Sequence, residues 1–189
     1  MDDPAIDVLA LFRADHSELF TLMAYLQHAV DHRLFHQVDS VRGDVLALYA
    51  AHEAVEQQWF WPAVRMGVDG GAALAEQAIG EEESTKGLLY RLRAEHPTEP
   101  TYGEAVGDFV GAVRAHLVFE EAAVWPRFSS DVRPAQRASL SRYVAQMRPS
   151  APRTPHPRAP SGSTEKPVVR DVLARPGPCR PTAQYPWRR

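Results

Sequence analysis

One arrangement of metal-ligating residue types occurs twice in the sequence. Residues 52–62 read HEAVEQQWFWP and residues 116–126 read HLVFEEAAVWP, so both contain His, three residues, Glu, four residues and Trp-Pro. Two residues that are four apart lie on the same face of a helix. In both copies this face also carries apolar residues at helical spacing, which predicts that the His and Glu side chains point into a core. A buried carboxylate is costly unless it is paired or bound to a metal. The frame is therefore expected either to bind a metal or to hold polar groups that satisfy each other.

Helices are the elements that must position these residues. Apolar residues recur at steps of three and four through the first 148 residues, as is typical of helices. The sequence predicts an all-α fold, an up-down-up-down four-helix bundle with a short fifth helix and a disordered Pro/Arg-rich tail. The first predicted helix begins at Asp3-Pro4 and ends near 32–36, and the others cover about 39–65, 72–95, 102–127 and 134–147. The predicted domains are the bundle over 1–130, the short helix over 131–148 and the tail over 149–189.

The other two long helices are predicted to place ligand-type residues at the same height. His52 and His116 each precede the proline of their frame by ten residues, which corresponds to about 15 Å along a helix. The first and third helices begin at that end of the bundle. At the matching height the first helix has His16 and the third has Glu-Glu-Glu at 81–83. Histidines that do not fit this height are expected at the surface, namely His28, His32 and His36.

Imidazoles and carboxylates that converge inside an apolar bundle suit transition metals with nitrogen and oxygen ligands. Iron is the first candidate, and manganese and zinc are the alternatives. Several carboxylates favour two ions, because carboxylates can bridge two metals and their charges need compensation. Di-iron carboxylate bundles are built in this way from inward-pointing side chains of facing helices.

Three motifs carry a resemblance to the hemerythrin-like proteins, also called HHE cation-binding domains. In chain order they are Asp15-His16 followed by Leu19, His52-x3-Glu56, and His116-x3-Glu120. The resemblance covers roughly residues 7–130. It implies a left-handed four-helix bundle with two non-haem irons, bridged by two carboxylates and an oxo or hydroxo group. It also implies terminal nitrogen ligands and bridging carboxylates at matching positions, which are His16, His52 and His116 for nitrogen and Glu56 and Glu120 for the bridges.

The third helix departs from the pattern of this family. Members with the full ligand set carry two histidines there, four residues apart, and the matching positions here are Glu82 and Lys86. Glu82 would replace nitrogen by oxygen and harden the site, whereas a protonated Lys86 cannot bind a metal. Glu53 and Glu81 are further candidates for the missing ligand. The predicted metal ligands are therefore His16, His52, Glu56, Glu82, His116 and Glu120.

The resemblance implies a protein that binds, senses or detoxifies dioxygen, nitric oxide or peroxide, with weak peroxide turnover at most. Reversible dioxygen carriage is not expected with an incomplete set of histidines. The alternative is a metal-poor or single-metal helical interaction module, in which the ammonium group of Lys86 replaces one metal charge. No catalytic or other cofactor-binding residue is predicted.

Charge and composition set the expected partners and compartment. Residues 149–189 carry eight Arg or Lys and two acidic residues, whereas 1–148 carry 13 basic and 22 acidic residues. The tail is expected to be solvated or to contact an acidic partner. The single cysteine excludes a cysteine-based metal site, and the acidic start lacks the features of a secretory signal. The sequence thus predicts a cytoplasmic protein with a small gas or peroxide as ligand, and neither a membrane nor a nucleic acid as partner.

Overall fold

The computed structural model describes residues 7–154 together with Val169 and Leu173, and these residues are arranged as helices and short links. In chain order the elements are α1 (Val8–Asp31), α2 (Phe35–Val55), a first π-helical turn (Glu56–Phe60), α3 (Trp61–Gly67), α4 (Gly71–Ala94), α5 (Tyr102–Phe119), a second π-helical turn (Glu120–Val124), α6 (Trp125–Asp131), α7 (Pro134–Met147) and a 3₁₀ turn (Arg148–Ser150). Each π-helical turn continues directly into the helices on both sides. The described residues thus form four long helical segments and the shorter α7, which confirms the predicted fold class.

Both ends of the chain are described only in part, so the predicted helix start and the predicted tail can be compared with the structure only in part. The predicted helix start at Asp3-Pro4 lies outside the described residues, and α1 begins only at Val8. Asp7 is extended (φ −65°, ψ 139°), and its Oδ1 accepts a hydrogen bond from the backbone N–H of Leu9 at 3.0 Å. A carboxylate in this position satisfies an N–H group that the helix itself leaves unpaired. The predicted disordered tail lies outside the described residues beyond 154, except at Val169, which is buried in the core, and Leu173.

The four long segments pack around a shared interior. α1 lies against α2 and α5, while α4 lies against α3 and α5. The links over 32–34 and 68–70 are short, so consecutive long segments run antiparallel. Gly70, which precedes α4, has a φ of 67°, and glycine adopts this left-handed conformation without steric cost.

The interior consists of two apolar clusters with a polar layer between them. The cluster near the start of α1 contains Phe12, and the cluster at the opposite end contains Leu19. His16 lies between these two residues on α1 and is also buried. Buried polar side chains at this level come from all four long segments: Asp15, His16, His52, Glu53, Glu56, Glu82, His116 and Glu120. The bundle therefore isolates one layer of titratable groups from water.

Helix α7 covers the end of the bundle at which α1 begins. Its first residue is proline, which is suited to the first turn of a helix because it lacks an N–H group. Leu140 and Val144 are fully buried in the cluster that contains Phe12. Tyr143 stacks on Trp59 with a centroid distance of 5.2 Å and an interplanar angle of 20°. Among the described residues, no helix is both long enough and apolar enough to cross a membrane.

Candidate metal centre

The two copies of the repeated frame fold in the same way. In each copy the His belongs to the last turn of an α-helix, the Glu begins a π-helical turn, and the Trp begins the next α-helix with Pro second. A π-helical turn widens the helix locally, and such turns are frequent at functional sites. The repeat thus gives Glu56 and Glu120 equivalent positions on two different helices.

Two groups of four side chains meet in the polar layer. The first group is His16, His52, Glu56 and Glu120, and the second is Glu56, Glu82, His116 and Glu120. Each residue contributes one ligand-type atom, and within each group these atoms lie within 4.8 Å of one another. Glu56 and Glu120 belong to both groups, which is the arrangement expected of two carboxylates that bridge a pair of ions.

The inner atoms of these side chains have no hydrogen-bond partner within the described residues. This is true of Nε2 of His16, His52 and His116 and of both carboxylate oxygens of Glu56 and Glu120. Nε2 of His16 and Nε2 of His116 each lie 3.0 Å from an oxygen of Glu120, and Nε2 of His52 lies 3.2 Å from an oxygen of Glu56. Buried polar atoms are nearly always hydrogen-bonded, so a cluster of such atoms points to a bound cation.

The outer nitrogen of each histidine contacts a carboxylate. Nδ1 of His16 lies 2.8 Å from Oε1 of Glu121, and Nδ1 of His52 lies 3.4 Å from Oδ2 of Asp15. Nδ1 of His116 lies 3.1 Å from Oε2 of Glu81. An ionised carboxylate only accepts hydrogen bonds, so each Nδ1 carries a proton, and whenever the ring is neutral its Nε2 has a lone pair that points into the polar layer. Metal-binding histidines are commonly oriented by carboxylates in this way.

Glu82 is held in the polar layer by two donors from the second long segment. The indole N–H of Trp61 donates to Oε1 at 2.6 Å, and the side-chain amide of Gln57 donates to Oε2 at 2.5 Å. Oε1 also lies 4.0 Å from Nε2 of His116. Because both donors are neutral, they orient the carboxylate without neutralising its charge.

Burial and mutual repulsion raise the pKa of three carboxyl groups in the metal-free layer. Burial raises the pKa of Glu53 to about 8, and the charge of Glu82 adds to the shift. Burial raises the pKa of Glu56 well above its usual range, and the charge of Glu120 contributes further. Burial also raises the pKa of Glu82 to about 7, although His116, Gln57 and Trp61 partly oppose the shift. Without a cation, these groups therefore hold protons near neutral pH.

Two histidines of the layer and Glu120 have pKa values that are set by burial and by the charges of neighbouring groups. Burial and the charge of His16 lower the pKa of His52 to about 3, so this ring is neutral. Burial opposes the charge on His116, but Glu120, Glu81 and Glu82 together raise its pKa well above the usual range. Burial likewise opposes ionisation of Glu120, but the nearby positive charge of His116 lowers its pKa to about 2. In the metal-free protein His116 and Glu120 thus form a buried ion pair.

The structure brings all six predicted ligands together in the two groups of donors. Neither group of donors contains Glu81 or Glu53. Glu81 lies on the outer nitrogen of His116, and its side chain is 33% exposed. Glu53 is buried, and its charge interacts with that of Glu82. Lys86 forms an ion pair of 2.8 Å with Glu83, whose side chain is exposed. Three histidines predicted at the surface are exposed, namely His28, His32 and His36.

Several residues that contact the donors were not identified in the sequence. Trp61 was predicted only as part of the repeated frame, but its indole N–H bonds to Glu82. The repetition of the frame was the available signal, because Trp125 is the equivalent residue and packs against His16 at a centroid distance of 4.7 Å and an interplanar angle of 32°. Asp15 was noted only as the neighbour of His16. No pattern in the sequence pointed to Gln57, Glu121 or Arg148.

The donor set fits a pair of transition-metal ions. Imidazole nitrogen and carboxylate oxygen bind such metals at about 2.0–2.2 Å, so ligands of one ion lie at most about 4.4 Å apart. Donor atoms within 4.8 Å of one another would reach this distance through small side-chain movements. The unpartnered inner atoms and the oriented outer nitrogens agree with this use.

Comparison with known proteins identifies the same region of the chain. A family model described as the hemerythrin HHE cation binding domain matches residues 7–128, which extend from the N-cap of α1 into α6. Searches of curated proteins and of solved structures found no match.

Proposed function

Because the chain belongs to the hemerythrin HHE cation-binding domain family, we propose that its polar layer binds two iron ions and that the pair binds, senses or detoxifies dioxygen, nitric oxide or peroxide. The observation that carries the proposal is that two groups of four buried donors share Glu56 and Glu120. Three carboxylates with completely buried side chains need positive charge nearby. Two divalent ions supply that charge more fully than the single protonated His116 does.

The two halves of the proposed site differ in their donors. One half offers two imidazoles and two carboxylates, and the other offers one imidazole and three carboxylates. Oxygen ligands favour harder and more oxidised metals, so the half that contains Glu82 is expected to hold the more oxidised ion. Iron supplies reversible one-electron chemistry towards small oxidants. The residues around it exclude water with two apolar clusters and fix the imidazoles through Asp15, Glu81 and Glu121.

Metal content tests the first part of the proposal. The protein would be expressed in iron-supplemented medium, and its metal content would be measured by mass spectrometry together with its near-ultraviolet and visible absorption. We expect two ions per chain. His116→Ala should lose most of the metal, because its Nε2 is an inner donor. His32→Ala is the matched control, since His32 is exposed and bonds only to the backbone of its own helix within the described residues. Equal metal content in the two variants would refute the proposal.

The response to small molecules tests the second part. The reduced, metal-loaded protein would be mixed separately with dioxygen, nitric oxide and hydrogen peroxide under otherwise anaerobic conditions. We expect a change in absorption with at least one of them, and no such change in His116→Ala. A loaded protein that responds to none of the three would leave cation binding intact and contradict the proposed role.

A further inference from the structure

The three carboxylates on the outer histidine nitrogens differ in their exposure to water. The side chains of Glu121 and Glu81 are 35% and 33% exposed, so water solvates part of each charge. Asp15, which contacts His52, has a side chain that is only 3% exposed. A buried carboxylate without a counter-charge is strongly disfavoured. The orientation of His52 therefore depends on whatever neutralises Asp15.

Arg148 supplies this counter-charge. Its guanidinium Nη2 contacts Oδ1 of Asp15, while Oδ2 of the same carboxylate contacts His52. Arg148 begins the 3₁₀ turn after α7 and lies 20 residues beyond the region that the family model matches. The contact thus joins a part of the chain outside the matched domain to one of the inner donors.

Helix α7 is docked in a way that fixes the position of Arg148. At its start, Nε of Arg137 lies 3.0 Å from Oδ2 of Asp7, the N-cap of α1. In its middle, Tyr143 stacks on Trp59. At its end, Met147 belongs to the apolar core. These contacts along the helix fix the backbone of Arg148 within reach of Asp15 on α1.

A groove reaches the same residues from the surface. Its volume is about 630 Å³, and its lining includes His52, Asp15 and Arg148. Water in this groove would compete for the oxygens of Asp15 if the guanidinium group were absent. Arg148 itself lines this groove, and its side chain is 33% exposed while its Nη2 contacts Oδ1 of Asp15.

We propose that Arg148 is a positioning residue of the metal centre, which holds Asp15 so that Asp15 can hold the ring of His52 with Nε2 directed inward. This inference rests on the proposed function, because it concerns the half of the site formed by His16, His52, Glu56 and Glu120. It assigns a role to α7 and the 3₁₀ turn, which complete a site whose donors all lie earlier in the chain. Loss of a residue that orients a metal-binding histidine typically lowers metal affinity by about 10–100-fold.

The test compares Arg148→Gln with wild type and with Arg142→Gln. Arg142 lies on α7, is exposed and bonds to Ser139 of the same helix, so it is a matched control. Fe(II) would be titrated anaerobically against a competing chelator, which resolves two binding steps. We expect Arg148→Gln to weaken one step by about 10–100-fold and to leave the other unchanged. We expect Arg142→Gln to leave both steps unchanged.

A measurement on the metal-free protein reports on His52 directly. In ¹⁵N-labelled protein, nuclear magnetic resonance follows the exchange of the Nδ1 proton of each histidine with water. Arg148→Gln should accelerate this exchange at His52 and leave His16 and His116 unaffected. A purely structural role of Arg148 would instead accelerate exchange at all three rings and weaken both binding steps alike.

Asp15→Asn, alone and combined with Arg148→Gln, completes the test. If Arg148 acts through Asp15, the double variant should bind Fe(II) no more weakly than Asp15→Asn alone. The inference would be overturned by fully additive effects in the double variant. It would also be overturned if Arg148→Gln weakened both steps equally or left the affinity unchanged. All these outcomes would leave the proposed function standing. A wild-type protein that binds no Fe(II) would overturn both.

Discussion

Replacement of Glu82 by Gln tests whether the polar layer is destabilising when no metal is bound. The side chain is completely buried, and burial raises the pKa of its carboxyl group from 4.5 to about 7. A shift of this size corresponds to about 3 kcal/mol at a pH above both values. Gln has nearly the same shape but no charge, so it removes this cost.

The sign of the effect follows from the raised pKa. A carboxyl group whose pKa is higher in the folded than in the unfolded state stabilises the protein below the unfolded value, and this stabilisation is lost as the pH rises through the folded value. For Glu82 the loss occurs between about pH 4.5 and pH 7. Between about pH 5.5 and about pH 8, the free energy of unfolding of the metal-free wild type should therefore fall by about 2 kcal/mol relative to Glu82→Gln.

The hydrogen bonds of Glu82 add a constant amount to the difference in free energy of unfolding between wild type and variant, and this amount does not depend on pH. Trp61 and Gln57 both donate to the carboxylate, and a Gln side chain has one oxygen to accept from both. One unsatisfied buried donor costs about 1–3 kcal/mol at any pH. The effect of the charge is therefore measured by how the difference in free energy of unfolding between wild type and variant changes with pH.

The assay is urea unfolding of chelator-treated protein at several pH values. Glu76→Gln, an exposed residue of the same helix, is the control and should give a difference that does not change with pH. In the metal-loaded protein the same Glu82→Gln change should reduce the metal content from two ions to about one. A pH-independent difference for Glu82→Gln would show that the carboxyl group is ionised without cost, and would refute the reasoning.

Further expectations concern the donors around the site, the packing of α4 and the metal itself. Trp61→Phe removes the N–H that donates to Glu82 at 2.6 Å. In an anaerobic titration it should measurably weaken one of the two Fe(II) binding steps. An unchanged affinity would show that the hydrogen bond is dispensable. Gly71→Ala should lower the free energy of unfolding by about 1–3 kcal/mol in urea, because its Cβ would lie 2.0 Å from the carbonyl oxygen of Val64. Gly80→Ala is the control for that change, since its Cβ meets nothing within 4 Å, and it should raise stability by about 0.5–1 kcal/mol. Metal removal by a chelator should lower the melting temperature. Metal uptake should weaken as the pH falls, because the ligands must be deprotonated and protons compete with the metal. A melting temperature that is the same with and without metal would argue against binding to the folded state.

The level of the polar layer could be predicted because it depends on helix length alone. The rise per residue is constant in a helix, so the equal distances from His52 and His116 to their prolines placed these residues at one height. Short links fixed the relative direction of the helices, which brought His16 to the same level. Although each π-helical turn interrupts the regular helix, it occurs at the same place in both copies. Its effect on the two heights is therefore equal.

The rotation of the third long segment was harder to predict than its height. Neighbouring residues on a helix differ by about 100° in direction, so only one of three consecutive glutamates points inward. Glu82 shares its face with Ala75 and Leu89, which are fully buried, whereas Glu81 shares its face with the partly buried Leu88. The sequence showed apolar residues on both faces and could not distinguish them. Packing against the second and fourth long segments decides the rotation.

The contacts that orient the donors could not be inferred from local spacing. Arg148 and Asp15 are separated by 133 positions, and their contact depends on how α7 docks across the end of α1. The partner of each outer histidine nitrogen lies on another element in all three cases. Helical periodicity identifies buried faces, but it carries no information on which carboxylate of a neighbouring helix will be adjacent.

The two π-helical turns make the length of the repeated frame unusually sensitive. An unbroken α-helix would have better backbone hydrogen bonds, and deletion of one residue from the frame could restore it. Because each π-helical turn holds about one extra residue, the helices on either side could keep their directions, while the residues inside the turn would shift by up to one position, or about 100° around the axis. The glutamate that begins the turn, or the residues that follow it inside the turn, would then point in a different direction from the other donors. Substitutions that spare the His and Glu of each frame should therefore be tolerated more readily than a deletion inside the turn.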